Sequence, residues 1–204
     1  MNYLAHIVLS KSHIDYQLGN LLADPLKGRA WLTSSALHKE GLVMHRSIDS
    51  FTDSNQHVKN SKLQLGKKGH LKGVVIDMAF DYLLLKNWEQ FATVPRRAFI
   101  DNFYEESIAS LSQLPANAST FINALVTNDI LSSYSTLDGL AQAFERIDKR
   151  LSSRVLAKES TSDYFPILES KIFMIEKDFL LFFPQLVDHF KSESGATSKE
   201  CILR

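Results

Sequence analysis

His45, Asp49 and Asp53 follow one another at intervals of four in the run Gly41-Leu42-Val43-Met44-His45-Arg46-Ser47-Ile48-Asp49-Ser50-Phe51-Thr52-Asp53. On a helix each such step overshoots a full turn by about 40°, so the three polar groups form one slanted stripe. An imidazole and a carboxylate one turn apart can clasp a single divalent cation. Met44, Ile48 and Phe51 are apolar, which sets the stripe at the edge of the buried face, where an unpaired carboxylate is costly. Asp77 and Asp81 repeat the spacing among Ile76, Met78, Phe80 and Tyr82. Two carboxylates on one face of an apolar helix repel each other at neutral pH, and a cation between the helices relieves that repulsion. Asp24, in Gly19-Asn20-Leu21-Leu22-Ala23-Asp24-Pro25, adds another carboxylate, and His6 a second imidazole. Mixed His and Asp ligands suit manganese, iron, zinc or magnesium without distinguishing them.

Each of these features also has an ordinary reading. A lone His/Asp pair at this spacing serves as a surface pair or cap. Asp77 and Asp81 can be solvated or paired with Arg46 or Lys86. Asp24 before Pro25 is a common turn residue, and His6 on an apolar stripe is often a satisfied core histidine. Their conjunction in one third of the chain is what points to a function.

The elements that must position these residues are helical. Apolar residues recur at helical spacing, convincing period-2 strands are absent, and Val74-Val75-Ile76 sits inside a longer helical pattern. One amphipathic helix runs from Ser35 to near Asn55, and a second begins near Gly73 and carries Asp77 and Asp81. Pro95 suits the first turn of a third. Thr136 can cap a fourth, with Leu140, Phe144 and Ile147 inward. Asp163 to Phe190 reads as the longest, with Ile167, Ile172, Ile175, Phe179, Phe182, Leu186 and Phe190 on its buried side. Pro184 is expected to kink it. The expectation is an all-α, single helical domain of about seven or eight helices spanning residues 1–192. A flexible C-terminal tail at 193–204 follows, where small and polar residues take over.

The 204 residues allow one substantial core, and 45% hydrophobic with 23% charged residues are ordinary for a globular protein. Lys plus Arg equals Asp plus Glu at 23 each, so no global field drives the chain onto nucleic acid or anionic lipid. The start lacks the basic and apolar regions of a signal peptide, and no apolar run reaches the roughly 20 residues of a membrane helix. Cys201 is the only cysteine, which excludes a disulfide scaffold and a zinc-thiolate site. A cytoplasmic protein without a membrane or nucleic-acid partner is expected.

Several segments in register resemble the bacterial acyl carrier protein phosphodiesterases. These are Met-Asn-Tyr-Leu-Ala-His at the start, Gly-Asn-Leu-Leu-Ala-Asp at 19–24 and Met-His-Arg-Ser-Ile-Asp at 44–49. Thr-Asp at 52–53 and Ile-Asp-Met-Ala-Phe-Asp-Tyr-Leu at 76–83, through Trp88, continue the match over roughly the first 90 residues. The family looks like a divergent branch of the HD-type metal phosphohydrolases, so the resemblance implies an HD-domain-like helical fold. It further implies hydrolysis of holo-acyl carrier protein, which releases 4′-phosphopantetheine from the carrier's serine, with manganese (Mn2+) as the usual metal.

Carried over by motif, Asp24 is the residue most readily called essential. His45, Asp49, Asp77 and Asp81 are its expected companions at the metal, and His6 a further one. Asp81 or Asp53 is expected to orient the attacking water, and Arg46 to hold a phosphate oxygen or a structural partner. Tyr82 stands where the family pattern has a histidine, and His38 and His70 are the imidazoles that might replace it in space. Carrier proteins are acidic, so the docking candidates are Lys62, Lys67, Lys68 and Lys72, with Arg96-Arg97 and Lys149-Arg150. A nucleotide or another small phosphate ester is the alternative substrate, and a non-catalytic carrier-binding module the alternative class.

Overall fold

Ser35 starts the longest well-patterned helix of the first half with a capping box. Its hydroxyl accepts from the His38 N–H (3.2 Å), while the His38 ring accepts from the Ser35 N–H (3.0 Å). The computed structural model describes residues 1–204. Twelve α-helices follow in order: α1 (Tyr3–Val8), α2 (Ile14–Leu21), α3 (Ala36–Ser54), α4 (Gln56–Gln64), α5 (Lys72–Lys86) and α6 (Trp88–Phe91). They continue with α7 (Arg96–Ala109), α8 (Ala116–Thr127), α9 (Ile130–Ser133), α10 (Leu137–Asp148), α11 (Ser153–Leu156) and α12 (Phe165–Ser194). Two short 3₁₀ turns, Leu111–Gln113 and Ser162–Tyr164, interrupt the series, and there is no strand. Eight of the helices exceed six residues, which matches the expected seven or eight; the short ones carry too little periodicity to be read from sequence.

Caps fall where the residue types place them. Pro95 is the N-cap of α7, and the Thr136 hydroxyl accepts from the Gly139 N–H (3.0 Å) at the start of α10. The long helix α12 runs through Pro184 to Ser194 and ends at Gly195, whose φ of +61° closes it in the left-handed region. Its buried side is Ile175, Phe179, Phe182, Leu186 and Phe190 as expected, but Ile167 is 41% exposed and Leu168 takes the inward position. The helix begins only at Phe165, and the preceding 3₁₀ turn shifts the phase of its first turn. The α12 aromatics pack on α5 and on each other, with Phe80–Phe179 tilted at 5.2 Å and Phe179–Phe183 stacked at 5.2 Å between centroids.

Helix α5 is enclosed on nearly every side, with Val75, Ile76, Met78, Ala79, Phe80, Leu83, Leu84 and Leu85 all buried. A helix apolar all round belongs in the centre of the fold, so its two aspartates must be satisfied by protein groups or a bound ion.

Residues 196–204, whose composition pointed to a flexible tail, pack on the helical body. Arg204 N–H donates to Phe91 C=O (2.9 Å), Thr93 N–H to Ile202 C=O (2.8 Å) and Ser12 N–H to Glu200 C=O (2.6 Å). Cys201 and Leu203 are buried beside Ala92. With Ala196 also buried and Ile202 packed against the core, these few apolar side chains anchor the stretch.

Helices α2 and α3 approach so closely that only glycine fits where they meet. A Cβ on Gly19 would stand 2.1 Å from the His38 carbonyl oxygen, and one on Gly41 2.2 Å from that of Tyr16. This contact brings the end of α2, with Asn20, onto the middle of α3, with His45.

Candidate metal centre

His45 projects from the buried edge of α3 toward Asn20 and the turn after α2. Its Nδ1 lies 2.8 Å from the Asn20 carbonyl oxygen. A carbonyl only accepts, so Nδ1 carries the proton and Nε2 faces outward, 3.3 Å from Asp24 Oδ1 and 3.1 Å from Asp49 Oδ2. His6, on α1, stacks on the His45 ring at 4.0 Å and 19° between planes. Its Nδ1 sits 2.9 Å from the Asn20 side-chain oxygen.

The Asn20 amide nitrogen donates to the carbonyls of His6 (2.8 Å) and Leu9 (3.0 Å) and to the Ser10 hydroxyl (3.0 Å). Those partners fix which end of the amide is oxygen, and so place the His6 proton on Nδ1 as well. One fully buried asparagine therefore sets both tautomers and turns both Nε2 atoms toward Asp49.

Whether these groups fit a metal can be asked of the atoms themselves. His6 Nε2 is buried with no hydrogen-bond partner, and its nearest polar neighbour is Asp49 Oδ1 at 3.3 Å. One ligand atom each from His6, His45 and Asp49 lie within 4.8 Å of one another. Neighbouring ligands at right angles around an ion with bonds near 2.1 Å stand about 3 Å apart, and the two Asp49 oxygens lie 3.3 Å from His6 Nε2 and 3.1 Å from His45 Nε2. Burial lowers the His6 imidazole to about 4, so it is neutral with a free lone pair at neutral pH. Burial also pulls His45 down, but hydrogen bonds to Asp24 and Asp49 outweigh it and hold the ring near 9. A cation at that Nε2 would replace the proton. For Asp49, burial raises the carboxyl, while His45, His6 and the Met1 ammonium together keep it well below the usual carboxylate range. Two imidazoles and the Asp49 carboxylate, with indirect support from Asn20, fit a divalent ion.

The remaining sequence candidates divide. Asp24 sits in the turn after α2, 78% exposed at its side chain, and its carboxyl is lowered mainly by His45. That turn is held by Arg46, whose guanidinium donates to the Gly28 carbonyl at 2.5 Å, next to left-handed Lys27 (φ +53°) and Gly28 (φ +66°). Asp77 joins the cluster through the Met1 ammonium, which lies 3.4 Å from Asp77 and 3.5 Å from Asp49.

Asp81, expected to orient a water, is an internal anchor instead. It is 0% exposed, and its two oxygens accept from the N–H groups of Leu4 (2.9 Å) and Ala5 (3.1 Å). Burial pushes its carboxyl up to about 7, against the pull of those two N–H donors. Asp81 anchors the start of α1, and thereby His6. Asp53 turns outward to Lys62 (3.1 Å). Neither His38, engaged in the α3 capping box, nor His70, whose N–H donates to Glu159 (2.8 Å), stands in for the family histidine; Tyr82 is partly buried against the core.

The sequence profile described as acyl carrier protein phosphodiesterase matches residues 1–186. The chain belongs to the acyl carrier protein phosphodiesterase family. A protein of that name from Pectobacterium atrosepticum is 25% identical over 95% of this chain and 99% of its own length. Namesakes from Klebsiella pneumoniae and Yersinia pestis are 27% and 26% identical, each over 92% of this chain and 96% of their own. No solved structure matches the chain.

Asn20 was part of the motif but carried no assigned role. The legible signal was a lone amide among Leu18, Gly19, Leu21 and Leu22, since a polar side chain in an apolar run must find partners. Asn20→Leu is expected to weaken manganese binding about 10–100-fold, because both imidazoles lose their fixed orientation. It should also cost about 2–3 kcal/mol of stability by leaving buried acceptors unpaired. Titration calorimetry and thermal unfolding of the same samples separate the two effects.

Proposed function

We propose that this protein is a metal-dependent phosphodiesterase that hydrolyses holo-acyl carrier protein to apo-carrier and 4′-phosphopantetheine. Family membership gives the reaction. The observation that carries the reading to this chain is the convergence of His6 Nε2, His45 Nε2 and the Asp49 carboxylate, with Asp24 3.3 Å from His45.

A divalent ion, with manganese the choice the resemblance implies, would be held by His6, His45 and Asp49, with Asp24 at the open side. When bound, it offsets the phosphodiester's negative charge and makes a water more acidic. Around it the chain's own groups have separate tasks. Asn20 holds the proton on Nδ1 of both rings, so that their lone pairs face one point. Asp24, the most solvent-accessible carboxylate of the cluster, accepts a proton from the attacking water. Arg46 fixes the turn that presents Asp24. Asp77 and the Met1 ammonium balance charge behind Asp49. Water forms the new bond to phosphorus, the bond to the carrier's serine oxygen breaks, and that oxygen takes up a proton. His and Asp ligands on an all-helical frame also support an HD-type relationship.

No helix is long and apolar enough to cross a membrane, which accords with a cytoplasmic enzyme meeting a carrier protein. The test is mass spectrometry of holo-carrier incubated with the protein and manganese. Loss of the phosphopantetheine mass, abolished by chelator, is the expected result. An intact carrier together with hydrolysis of free nucleotides would replace this reading by a small-ester phosphohydrolase. An intact carrier that co-purifies with the protein would replace it by a binding module.

A further inference from the structure

A separate concavity opens beside the start of α1. Its volume is about 120 Å³, and Asn2, Tyr3, Met78, Tyr134, Arg146 and Arg150 are among its walls, with Leu125, Ile130 and Ala143 supplying apolar surface. A cavity of about 150 Å³ admits a benzene ring, so this one suits a compact branched group of about five or six carbons. The chain ties it to the metal centre at two points. Asn2 and Tyr3 directly follow Met1, whose ammonium lies 3.4 Å from Asp77 and 3.5 Å from Asp49. Met78 directly follows Asp77. Tyr3 lines the cavity beside Arg146 and Arg150, and burial raises its phenol.

The polar groups select the occupant. Arg146 and Arg150 stand one turn apart on and just beyond α10, so they share a face at the cavity and complement an anion. Arg146 is steadied by the Ser133 hydroxyl at 3.2 Å. The Asn2 amide nitrogen is buried with no close hydrogen-bond partner and has the Tyr134 phenol beside it, so the two give the cavity a polar wall that suits a carbonyl or hydroxyl oxygen. An anion, a branched apolar group and a hydrogen-bond acceptor must then lie within a few bonds of one another. The phosphate-bearing end of a pantetheine arm has all three in that order: phosphodiester, gem-dimethyl carbon, then hydroxyl and amide carbonyl.

We propose that this cavity is the subsite for the branched pantoyl end of the substrate's arm, with Arg146 and Arg150 toward the phosphodiester and the Asn2 amide toward the pantoyl oxygens. The assignment rests on the reading of the protein as a holo-carrier phosphodiesterase. It gives the metal centre its selectivity for one phosphodiester, because a carrier-bound group without the branched carbon leaves the cavity unfilled.

The test uses the full chain and Ala124→Trp. Ala124 is exposed on α8 and lines the cavity, so an indole there covers it without entering the core. Expected is a fall of about 10²-fold in kcat/KM for holo-carrier, since misplacement of the reacting group by an ångström has that order of effect. Inhibition by free 4′-phosphopantetheine should weaken in parallel, while melting temperature and manganese affinity stay at wild-type values. A kcat/KM within about twofold of wild type in a folded Ala124→Trp protein would overturn the subsite.

If the wild-type chain leaves holo-carrier intact, the proposed function fails by itself. The cavity is then decided by methyl NMR with free 4′-phosphopantetheine as probe. Shifts at Met78, Leu125 and Ile130 uphold the subsite, and shifts confined elsewhere, or none, overturn it.

Discussion

Asp49→Ala is expected to lose manganese binding and to lower turnover of holo-carrier by at least about 10³-fold, or ~4 kcal/mol of transition-state stabilisation. The size follows from position. Asp49 is the one carboxylate within 3.5 Å of His6, His45 and the Met1 ammonium together. Removing it leaves the two imidazoles without an anionic partner between them and an ion without its most central oxygen. Asp53→Ala, one turn further along α3, is the contrast. Its carboxylate is 76% exposed and pairs with Lys62, so its activity should remain within about twofold of wild type. Steady-state assays of both variants with saturating manganese, and calorimetric titration with the metal, measure the difference. Equal losses from both would mean that the whole acidic stripe acts by charge and no single ligand set exists.

Gly41→Ala is expected to destabilise the fold by about 3–5 kcal/mol, which lowers the melting temperature by roughly 10 °C in a chain of this length. The added carbon would stand 2.2 Å from the Tyr16 carbonyl oxygen and 2.7 Å from the Asn20 nitrogen. Both neighbours are backbone and cannot swing aside, so α2 must move off α3. The Asn20 carbonyl then leaves His45 Nδ1, and the variant should lose activity even at temperatures where it remains folded. Gly73→Ala supplies the control. It lies in the first turn of α5 with no atom nearer than Lys62 Cε at 4.0 Å. Alanine there is expected to be neutral or stabilising by up to about 1 kcal/mol, because glycine is the poorer helix former. Thermal and urea unfolding of both variants distinguish a steric contact from a general sensitivity of helices to substitution.

What could be read from sequence follows from how local each cause is. The slanted stripe of His45 and Asp49 was legible because the four-residue spacing fixes it within a single helix. The α3 boundaries were legible because Ser35 and Asn55 are local signals. Asp53 shares the same spacing yet turns to Lys62, since the ninth residue of its stripe lies beyond the cluster and a solvent-side cation is closer. The Asp77–Asp81 pair showed that a counter-cation was needed, but spacing could not tell an ion from the Met1 ammonium. Nor could it tell that Asp81 would be spent on the N–H groups of Leu4 and Ala5, 77 and 76 positions away. Those are tertiary facts with no local trace. The closeness of α2 and α3 was marked only by two glycines, and nothing in their separate contexts said that they face each other. The packed end of the chain was hidden for a related reason. Cys201 and Leu203 find a groove that other helices create, and a composition reading sees only a short apolar run after a long polar one.

The central claim is a matter of position, and anomalous diffraction from crystals grown with manganese tests it directly. One strong anomalous peak is expected within bonding distance, about 2.0–2.3 Å, of His6 Nε2, His45 Nε2 and an Asp49 oxygen. A peak bound elsewhere, or crystals saturated with manganese in which those three side chains keep only one another as partners, would contradict it.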